Sequence, residues 1–262
     1  YHVGGNTKLF GAALFRLRER DFEQYRHRDG LSPEWPIKYR DWEDYYTQAE
    51  RLYQVHGKAG EDPTEPWHAK EYPFPPISHE PRIAEVFASL KARGLKPYPA
   101  PMGVRLNEAA PHLSACIRCD TCDGYPCLVG AKSDADVLAV RPNLPRPNVT
   151  LLTEAKVLRL HTSPSGREIT GVVVETKGQL REFSGDIVES RVIPVAGWDF
   201  RTGAHHSGAA RRFLGNPGDL SLEHFAVTAL PGTFVCDGSL LRAAGIANSG
   251  LTLVALSHRL AE

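Results

Sequence analysis

The sequence has no excess of either charge, because 31 Lys and Arg residues balance 31 Asp and Glu residues. Proteins that bind nucleic acid concentrate basic charge on one surface, and no basic stretch interleaved with aromatic residues occurs, so a nucleic-acid partner is excluded. Long apolar runs are also missing. The longest, such as residues 171–174 and 251–256, are far shorter than the ~20 residues that cross a bilayer, so no membrane span is expected. Internal repeats and low-complexity tracts are absent, which excludes a solenoid or a disordered tail.

A recognisable leader is missing too. The sequence starts at Tyr1 without the charged and apolar segments of a signal peptide. Together with the odd number of cysteines, five, this favours a cytoplasmic location. The sequence is rich in Gly and Pro, with 23 and 20 residues, and the prolines concentrate between Pro63 and Pro147. A loop-rich middle segment is therefore expected.

Two helices are predicted from apolar residues that recur three and four positions apart. The first covers residues 39–56 and ends at Gly57. The second covers residues 81–93, with Pro81 in its first turn and Gly94 as its stop. The residues expected on their buried faces are Trp42, Tyr45, Tyr46, Ala49, Leu52 and Tyr53 in the first helix, and Ile83, Val86, Phe87 and Leu90 in the second.

A β-meander of four or five short strands is predicted after residue 148, because segments rich in β-branched residues alternate there with turn signals. The expected strands cover residues 149–152, 155–160, 169–175, 180–183 and 186–195. A short strand at 233–236 and a terminal helix over 249–261 are expected beyond the meander, whereas residues 95–147 are predicted to be irregular.

Four of the five cysteines form a C-x2-C-x2-C-x4-C pattern within that irregular segment. They are Cys116, Cys119, Cys122 and Cys127. Such spacing lets several thiolates converge on one centre. The pattern is compatible with disulfides or free structural thiols, with an iron–sulfur cluster, and with zinc. We expect the four sulfurs to lie close enough together to bond to one another or to share a ligand.

A histidine and a helix N-terminus near the end of the sequence suit the oxidation of an alcohol. His205 lies in an irregular stretch, and Asn248 is placed to cap the terminal helix. The N–H groups at a helix N-terminus stabilise a nearby anion, and a neutral imidazole can accept the hydroxyl proton as a hydride leaves carbon. The simpler alternatives are a capping role for Asn248 and a surface position for His205.

Four blocks of the sequence, in the same order, resemble the glucose–methanol–choline family of FAD-dependent oxidoreductases. They are the loop Gly4-Gly5-Asn6-Thr7 with residues up to Arg16, the segment from Trp35-Pro36-Ile37 to Ala49-Glu50, the strand pair around Val157 and 171–174, and the set formed by His205, Gly208, Asp237-Gly238-Ser239 and Asn248. The resemblance implies a flavoprotein that moves a hydride from a CH–OH group of an alcohol or sugar to FAD.

The resemblance also implies roles for individual residues. His205 falls at the position of the family's catalytic base, and Asn248 at the position that orients the substrate oxygen near the flavin. Residues implied in cofactor binding are Gly4, Gly5, Asn6 and Gly11 in the flavin-approach loop, Val157 near the adenine, Asp237 and Gly238 near the ribityl-phosphate region, and Asn248 and Ser249 at the helix start.

Two departures from the family pattern indicate which parts of the family's fold this chain lacks. The family's G-x-G-x-x-G fingerprint, which binds the pyrophosphate, does not occur in the 262 residues. His205 also follows Gly197 by only eight residues, where the family has a long substrate-domain sheet. We therefore expect the chain to lack the N-terminal dinucleotide-binding unit and much of the substrate domain. FAD binding by this chain alone is then expected to be weak, and a partner chain is a candidate source of the missing unit.

The expected fold class is α/β to α+β. Residues 1–30 and 148–262 are expected to form portions of an FAD-binding domain with the β-meander and the terminal helix, and residues 31–147 a helical, loop-rich segment that carries the cysteines. The alternative to an alcohol-oxidising flavoprotein is a non-catalytic remnant or a redox or metal-binding module organised by the cysteine pattern.

Overall fold

A computed structural model describes residues 2–28, 30–32, 34–35, 37–165 and 169–185, and the isolated positions 220–221, 226–227 and 255. The chain forms two compact units. The first contains Tyr1–Glu19, Lys38–Thr150 and Gly245–His258, and the second contains Arg20–Ile37, Leu151–Ala244 and Arg259–Glu262. Small antiparallel sheets and short helices agree with the predicted mixed class of α/β to α+β.

The elements are short, as expected for a chain rich in Gly and Pro. In chain order the strands are β1 (Tyr25–His27), β2 (Gly30–Ser32), β3 (Val55–His56), β4 (Met102–Gly103), β5 (Ala155–Thr162), β6 (Ile169–Thr176), β7 (Gln179–Phe183), β8 (Leu220–Ser221) and β9 (Ala226–Val227), and the helices are α1 (Glu43–Leu52) and α2 (Pro81–Ala92). A π-helical turn covers Asp136–Val140, and single 3₁₀ turns include Gly5–Lys8 and Tyr39–Asp41.

Helix α1 confirms the first predicted helix but ends earlier than expected. Trp42, Tyr46 and Ala49 are fully buried, as the three- and four-residue spacing requires. The prediction that the helix continues to residue 56 is wrong. Gln54 has a φ of 51°, which interrupts the helix, and β3 then pairs antiparallel with β4, with Val55 opposite Gly103.

Helix α2 matches the second predicted helix in its bounds, but its apolar stripe is not buried. Ile83 and Val86 are 49% and 50% exposed, so the expected burial is wrong for the part of the chain that is described. Phe87 is covered locally instead: its ring lies 4.6 Å from that of His79, and Nζ of Lys91 lies 4.7 Å from its centroid.

A buried charge cluster joins the N-terminal segment to α1. Arg16 is fully buried and donates through Nε and Nη2 to the two carboxylate oxygens of Glu50, at 2.7 and 2.8 Å. Its Nη1 group donates to Glu43 Oε1 at 3.0 Å and to the hydroxyl of Tyr39 at 2.8 Å. Two charge-assisted bonds in fork geometry fix both partners, so the cluster holds the segment that follows the glycine loop against α1.

The second unit contains the predicted meander. Strands β5, β6 and β7 form an antiparallel sheet in that order, which confirms the strands expected near 155–160, 169–175 and 180–183. Lys177 and Gly178, with φ of 49° and 73°, form the two-residue turn between Thr176 and Gln179, as a type I′ hairpin requires. The strand expected at 149–152 is absent. The strands expected at 186–195 and 233–236 lie outside the described residues, as does the terminal helix apart from Ala255, which is helical.

Among the described residues, no helix is long and apolar enough to span a membrane.

Candidate functional site

The glycine loop, residues 4–8, is a tight turn with an unusual backbone. Gly4 and Gly5 have φ of 90° and 52°, a region that side chains with a Cβ rarely adopt. The Thr7 hydroxyl donates to the Gly4 carbonyl oxygen and accepts the Ala135 N–H at 3.1 Å. The loop is therefore closed on itself and attached to the start of the π-helical turn.

The two glycines serve different purposes. A Cβ on Gly4 would lie 3.0 Å from Cβ of Asp136, so Gly4 permits close packing beneath the loop. A Cβ on Gly5 would have nothing within 4 Å, and Gly5 and Asn6 are exposed. The outer side of the loop thus presents backbone without a side chain at Gly5, and the flavin-approach role of Gly4, Gly5 and Asn6 stays a prediction.

Charged groups beneath the glycine loop compensate one another. Lys8 Nζ lies 3.1 Å from Asp134 Oδ1 and 2.5 Å from Asp136 Oδ2. Arg141 Nη2 lies 2.7 Å from the same oxygen of Asp136. Burial alone would raise the pKa of Asp136, but the hydrogen bonds from Lys8 and Arg141 hold it below its ordinary value. The carboxylate is therefore ionised at neutral pH and anchors the loop through Lys8.

Gly11 brings the N-terminal segment into contact with the cysteine loop, residues 116–127. A Cβ on Gly11 would lie 3.1 Å from Oδ1 of Asp123. The N–H of Gly124 donates to the Leu9 carbonyl oxygen at 2.9 Å. The predicted flavin-approach segment and the cysteine pattern, which the sequence treats as separate features, are thus neighbours.

The four cysteines of the loop are free thiols, so no disulfide forms among them. In the part of the chain that the structure describes, no three His, Cys, Asp or Glu side chains form a group that could hold a metal ion. The metal assignment of Cys116, Cys119, Cys122 and Cys127 therefore gains no support. Three of the sulfurs have local partners. Cys116 Sγ accepts the Arg118 N–H at 3.4 Å, Cys127 Sγ accepts the Ala131 N–H at 3.3 Å, and Cys119 Sγ lies 3.5 Å from the Thr121 hydroxyl.

The thiols differ in their surroundings. The Thr121 hydroxyl and backbone N–H stabilise the thiolate of Cys119, which lowers the pKa of this exposed thiol. Burial raises the pKa of the Cys122 thiol, although the nearby ammonium of Lys132 opposes the shift.

Lys132 holds the cysteine loop from beneath. The residue is 1% exposed, and its Nζ donates to the carbonyl oxygens of Phe10, Cys122 and Tyr125 at 2.7, 2.6 and 2.8 Å. Burial lowers the pKa of Lys132 from its ordinary value, while the thiols of Cys122 and Cys127 act in the other direction. One ammonium therefore fastens the N-terminal segment and the cysteine loop together.

The remaining predicted site residues belong elsewhere. Val157 lies on β5, in the second unit, where it pairs in register with Val174 and is 53% exposed. Among the described strands, β5 is an edge of its three-stranded sheet. His205, Asp237, Gly238, Asn248 and Ser249 lie outside the described residues.

The sequence of this chain is similar to those of two curated oxidases from Streptomyces. It is 31% identical over 169 residues to 6'''-hydroxyparomomycin C oxidase of Streptomyces lividus, a match that covers 63% of this chain and 30% of that protein. It is 34% identical over 164 residues to paromamine 6'-oxidase of Streptomyces fradiae, covering 61% of this chain and 28% of that protein. The chain thus spans about a third of the length of these relatives. No family model matches the chain.

Sequence reasoning missed the two buried cations that organise this region. Arg16 and Glu50 stand within the blocks that resemble the oxidoreductase family, but no pattern linked a residue before α1 to one within it. Lys132 follows Cys127 in the polar run Lys132-Ser133-Asp134, which is typical of a surface loop. The polar run after the cysteine pattern is the one signal in the sequence that could have indicated a lysine that binds the cysteine loop.

Proposed function

We propose that this chain is part of an FAD-dependent oxidoreductase of the glucose–methanol–choline family that oxidises a CH–OH group of a small hydroxylated molecule. The observation that carries the proposal is the similarity to two oxidases, at 31% and 34% identity over more than 160 residues each. The names of both relatives describe oxidation of paromamine or a paromomycin. We therefore infer that the substrate is an amino sugar or a related polyol.

One feature of the described residues supports the proposal that FAD binds here. A flat isoalloxazine ring can approach the backbone closely where no Cβ stands in the way, and the exposed side of the glycine loop is open at Gly5. Lys8, Asp134 and Asp136 fix that surface from below. These residues would support the ring, and Val157 and Asp237-Gly238 would contact the adenine and ribityl-phosphate portions, as the family resemblance implies.

The proposed chemistry divides between the cofactor and this chain. When bound, FAD supplies a two-electron acceptor for the hydride of the alcohol carbon. His205 accepts the proton of the substrate hydroxyl as a general base. Asn248 orients the substrate oxygen, and the N–H groups at the start of the terminal helix stabilise negative charge that develops nearby.

The alternative of a non-catalytic metal-binding module is not favoured. Its central feature is the cysteine loop, and the described residues hold those sulfurs as free thiols without a metal-binding group. Both curated relatives are oxidases.

The proposal is tested with protein expressed from the complete reading frame that encodes this chain. The protein is purified with added FAD and mixed anaerobically with paromamine, and the visible flavin absorbance is followed. We expect the absorbance to bleach with paromamine and to stay unchanged with an analogue that lacks the 6'-hydroxyl group. Retention of FAD without bleaching by any of a panel of amino sugars and polyols would contradict the proposed oxidation.

A further inference from the structure

The cysteine loop is fastened at two points, and the short bridge between them is open to solvent. Arg118 donates to the carbonyl oxygen and hydroxyl of Ser78 at 2.7 and 2.8 Å, and it also pairs with Glu108. At the other end Lys132 binds the carbonyl oxygen of Cys122 at 2.6 Å. Residues 119–121 are exposed between these anchors.

The positions of the four thiols separate them into two pairs. Cys116 packs against the buried cluster that contains Val104 and Leu106, and its sulfur accepts a backbone N–H. Cys127 is half-buried, and its sulfur also accepts a backbone N–H. Cys119 is exposed, with the Thr121 hydroxyl 3.5 Å from its sulfur, and Cys122 lies half-buried at the end of the same bridge.

Cys119 and Cys122 also have the spacing of a redox pair. Two residues separate them, as in the Cys-X-X-Cys motifs of thiol–disulfide oxidoreductases. Cys116 and Cys119 have the same spacing, but Cys116 packs against the buried cluster, so Cys122 is the partner that lies at the end of the exposed bridge. The anchors at Arg118 and Cys122 hold both ends of the bridge, so the two thiols stay within one short, exposed segment.

We propose that Cys119 and Cys122 form a reversible oxidation site, in which a hydroperoxide converts the two thiols into an intramolecular disulfide. Cys119 attacks one peroxide oxygen, the O–O bond breaks, and Cys119 becomes a sulfenic acid while water leaves. Cys122 then attacks the sulfenic sulfur, the S–S bond forms, and the hydroxyl leaves as a second water. The two thiols lose two electrons and two protons, and hydrogen peroxide gains them. The site needs no bound flavin and therefore stands apart from the proposed oxidoreductase activity.

Peptide mass spectrometry on the full chain tests this assignment. The protein is treated with hydrogen peroxide, alkylated and digested with trypsin. Cleavage after Arg118 and Lys132 releases one peptide with Cys119, Cys122 and Cys127, whereas Cys116 and Cys236 fall on other peptides. We expect this peptide to lose two hydrogens and to carry the alkyl group on Cys127 alone. Dithiothreitol before alkylation should restore three alkylated cysteines.

Single substitutions show which thiol reacts with the peroxide and which thiol then forms the disulfide. Cys122→Ser should leave a sulfenic acid on Cys119 that dimedone traps, and Cys119→Ser should abolish the loss of two hydrogens. Cys127→Ser is the matched control, and its tryptic peptide should still lose two hydrogens on oxidation. In the unoxidised protein, Cys119 should react with iodoacetamide about tenfold faster than Cys127, since exposure governs access to the thiol. A bond from Cys119 to Cys116, Cys127 or Cys236, or equal reactivity of Cys119 and Cys127, would overturn the assignment.

Discussion

At the scale of single residues, two buried cations connect the segments that form the candidate site. Arg16 and Lys132 are at most 1% exposed, and each binds groups from segments distant in sequence. A buried charge is tolerated only when its hydrogen-bonding capacity is met by partners. Removing either cation therefore takes a hydrogen-bond donor away from several buried or half-buried oxygens.

Arg16→Met should destabilise the protein by about 3–5 kcal/mol, the usual cost of leaving a buried charge without its partner. The substitution preserves much of the side-chain volume but strands the carboxylates of Glu43 and Glu50, which Arg16 binds at 3.0 and 2.7 Å. Urea denaturation measures the free energy of unfolding. Arg51→Met, at an exposed position of α1, is the control and should stay within about 0.5 kcal/mol of wild type. A loss below about 1 kcal/mol for Arg16→Met would contradict the role of the cluster.

Glu43 gives the protein a stability that depends on pH. Burial alone would raise the pKa of Glu43, but hydrogen bonds from the Ala69 N–H, Arg16 and Thr47 lower it from its ordinary value of 4.5. A carboxyl whose pKa is lower in the folded state stabilises the protein above its unfolded pKa, and this contribution disappears as the pH falls through the folded pKa.

We therefore expect wild type to be more stable than Glu43→Gln at neutral pH, with the difference shrinking as the pH falls below 4.5. Urea denaturation at a series of pH values measures the difference in unfolding free energy. Asp44→Asn, an exposed carboxylate on the same helical turn, controls for the loss of one negative charge. A difference between wild type and Glu43→Gln that is constant across the acidic range would show that Glu43 does not contribute in this way.

At the scale of elements, the sequence predicted the positions of the helices well. It predicted less well whether another segment packs against their apolar faces. Helices α1 and α2 carry similar three- and four-residue apolar patterns, yet Tyr46 is fully buried and Val86 is 50% exposed. Periodicity identifies the apolar face of a helix, but a packing partner comes from a distant segment that the local pattern does not name. The early end of α1 at Leu52 has the same origin, because β3 forms by pairing with β4, far along the chain.

Local geometry adds what the cysteine spacing leaves open. The four cysteines are free thiols, and their ability to share a ligand stays a prediction. Backbone N–H groups two and four residues away bind the sulfurs of Cys116 and Cys127. Spacing shows that sulfurs can converge, whereas the conformation of the intervening backbone decides whether they do. The turn at Lys177-Gly178 was easier to predict because both residues of a type I′ turn lie next to each other in sequence.

Gly94→Ala should weaken α2 by about 1 kcal/mol. Gly94 ends the helix with a φ of 78°, and the N–H groups of Gly94 and Leu95 donate to the carbonyl oxygens of Lys91 and Leu90, the two bonds of a Schellman motif. A Cβ at Gly94 would meet nothing within 4 Å, so the cost is that of the left-handed backbone alone.

Amide hydrogen exchange measures the effect of Gly94→Ala, because α2 buries no residue and can open without global unfolding. We expect exchange in α2 to quicken about fivefold, the factor that corresponds to about 1 kcal/mol. Gly94→Asn is the matched control and should cost less, since Asn tolerates the left-handed region better than Ala. Equal exchange in wild type and Gly94→Ala would exclude the cap as a source of helix stability.

At the scale of the whole molecule, the residues proposed for catalysis and for cofactor contact are spread along the chain. The glycine loop belongs to the first unit and Val157 to the second, while His205 and Asn248 are assigned by their positions in the family pattern. The described residues explain how the glycine loop is shaped and supported. Under the proposed function, the order of the four blocks, rather than any single one, links that loop to alcohol oxidation.

His205→Ala should lower the rate of flavin reduction by about 10²–10⁴-fold in protein that has been loaded with FAD, because that is the usual contribution of a general base. The rate is measured by stopped-flow absorbance with an amino-sugar alcohol as the donor, and flavin content is measured separately so that loss of cofactor is distinguished from loss of chemistry. His206→Ala is the internal control, since only His205 precedes Gly208 by three residues, as the family pattern requires. A slow His206→Ala variant beside an unaffected His205→Ala variant would move the base by one position. If both variants reduce flavin at the wild-type rate, neither histidine is the base, and another group must accept the hydroxyl proton.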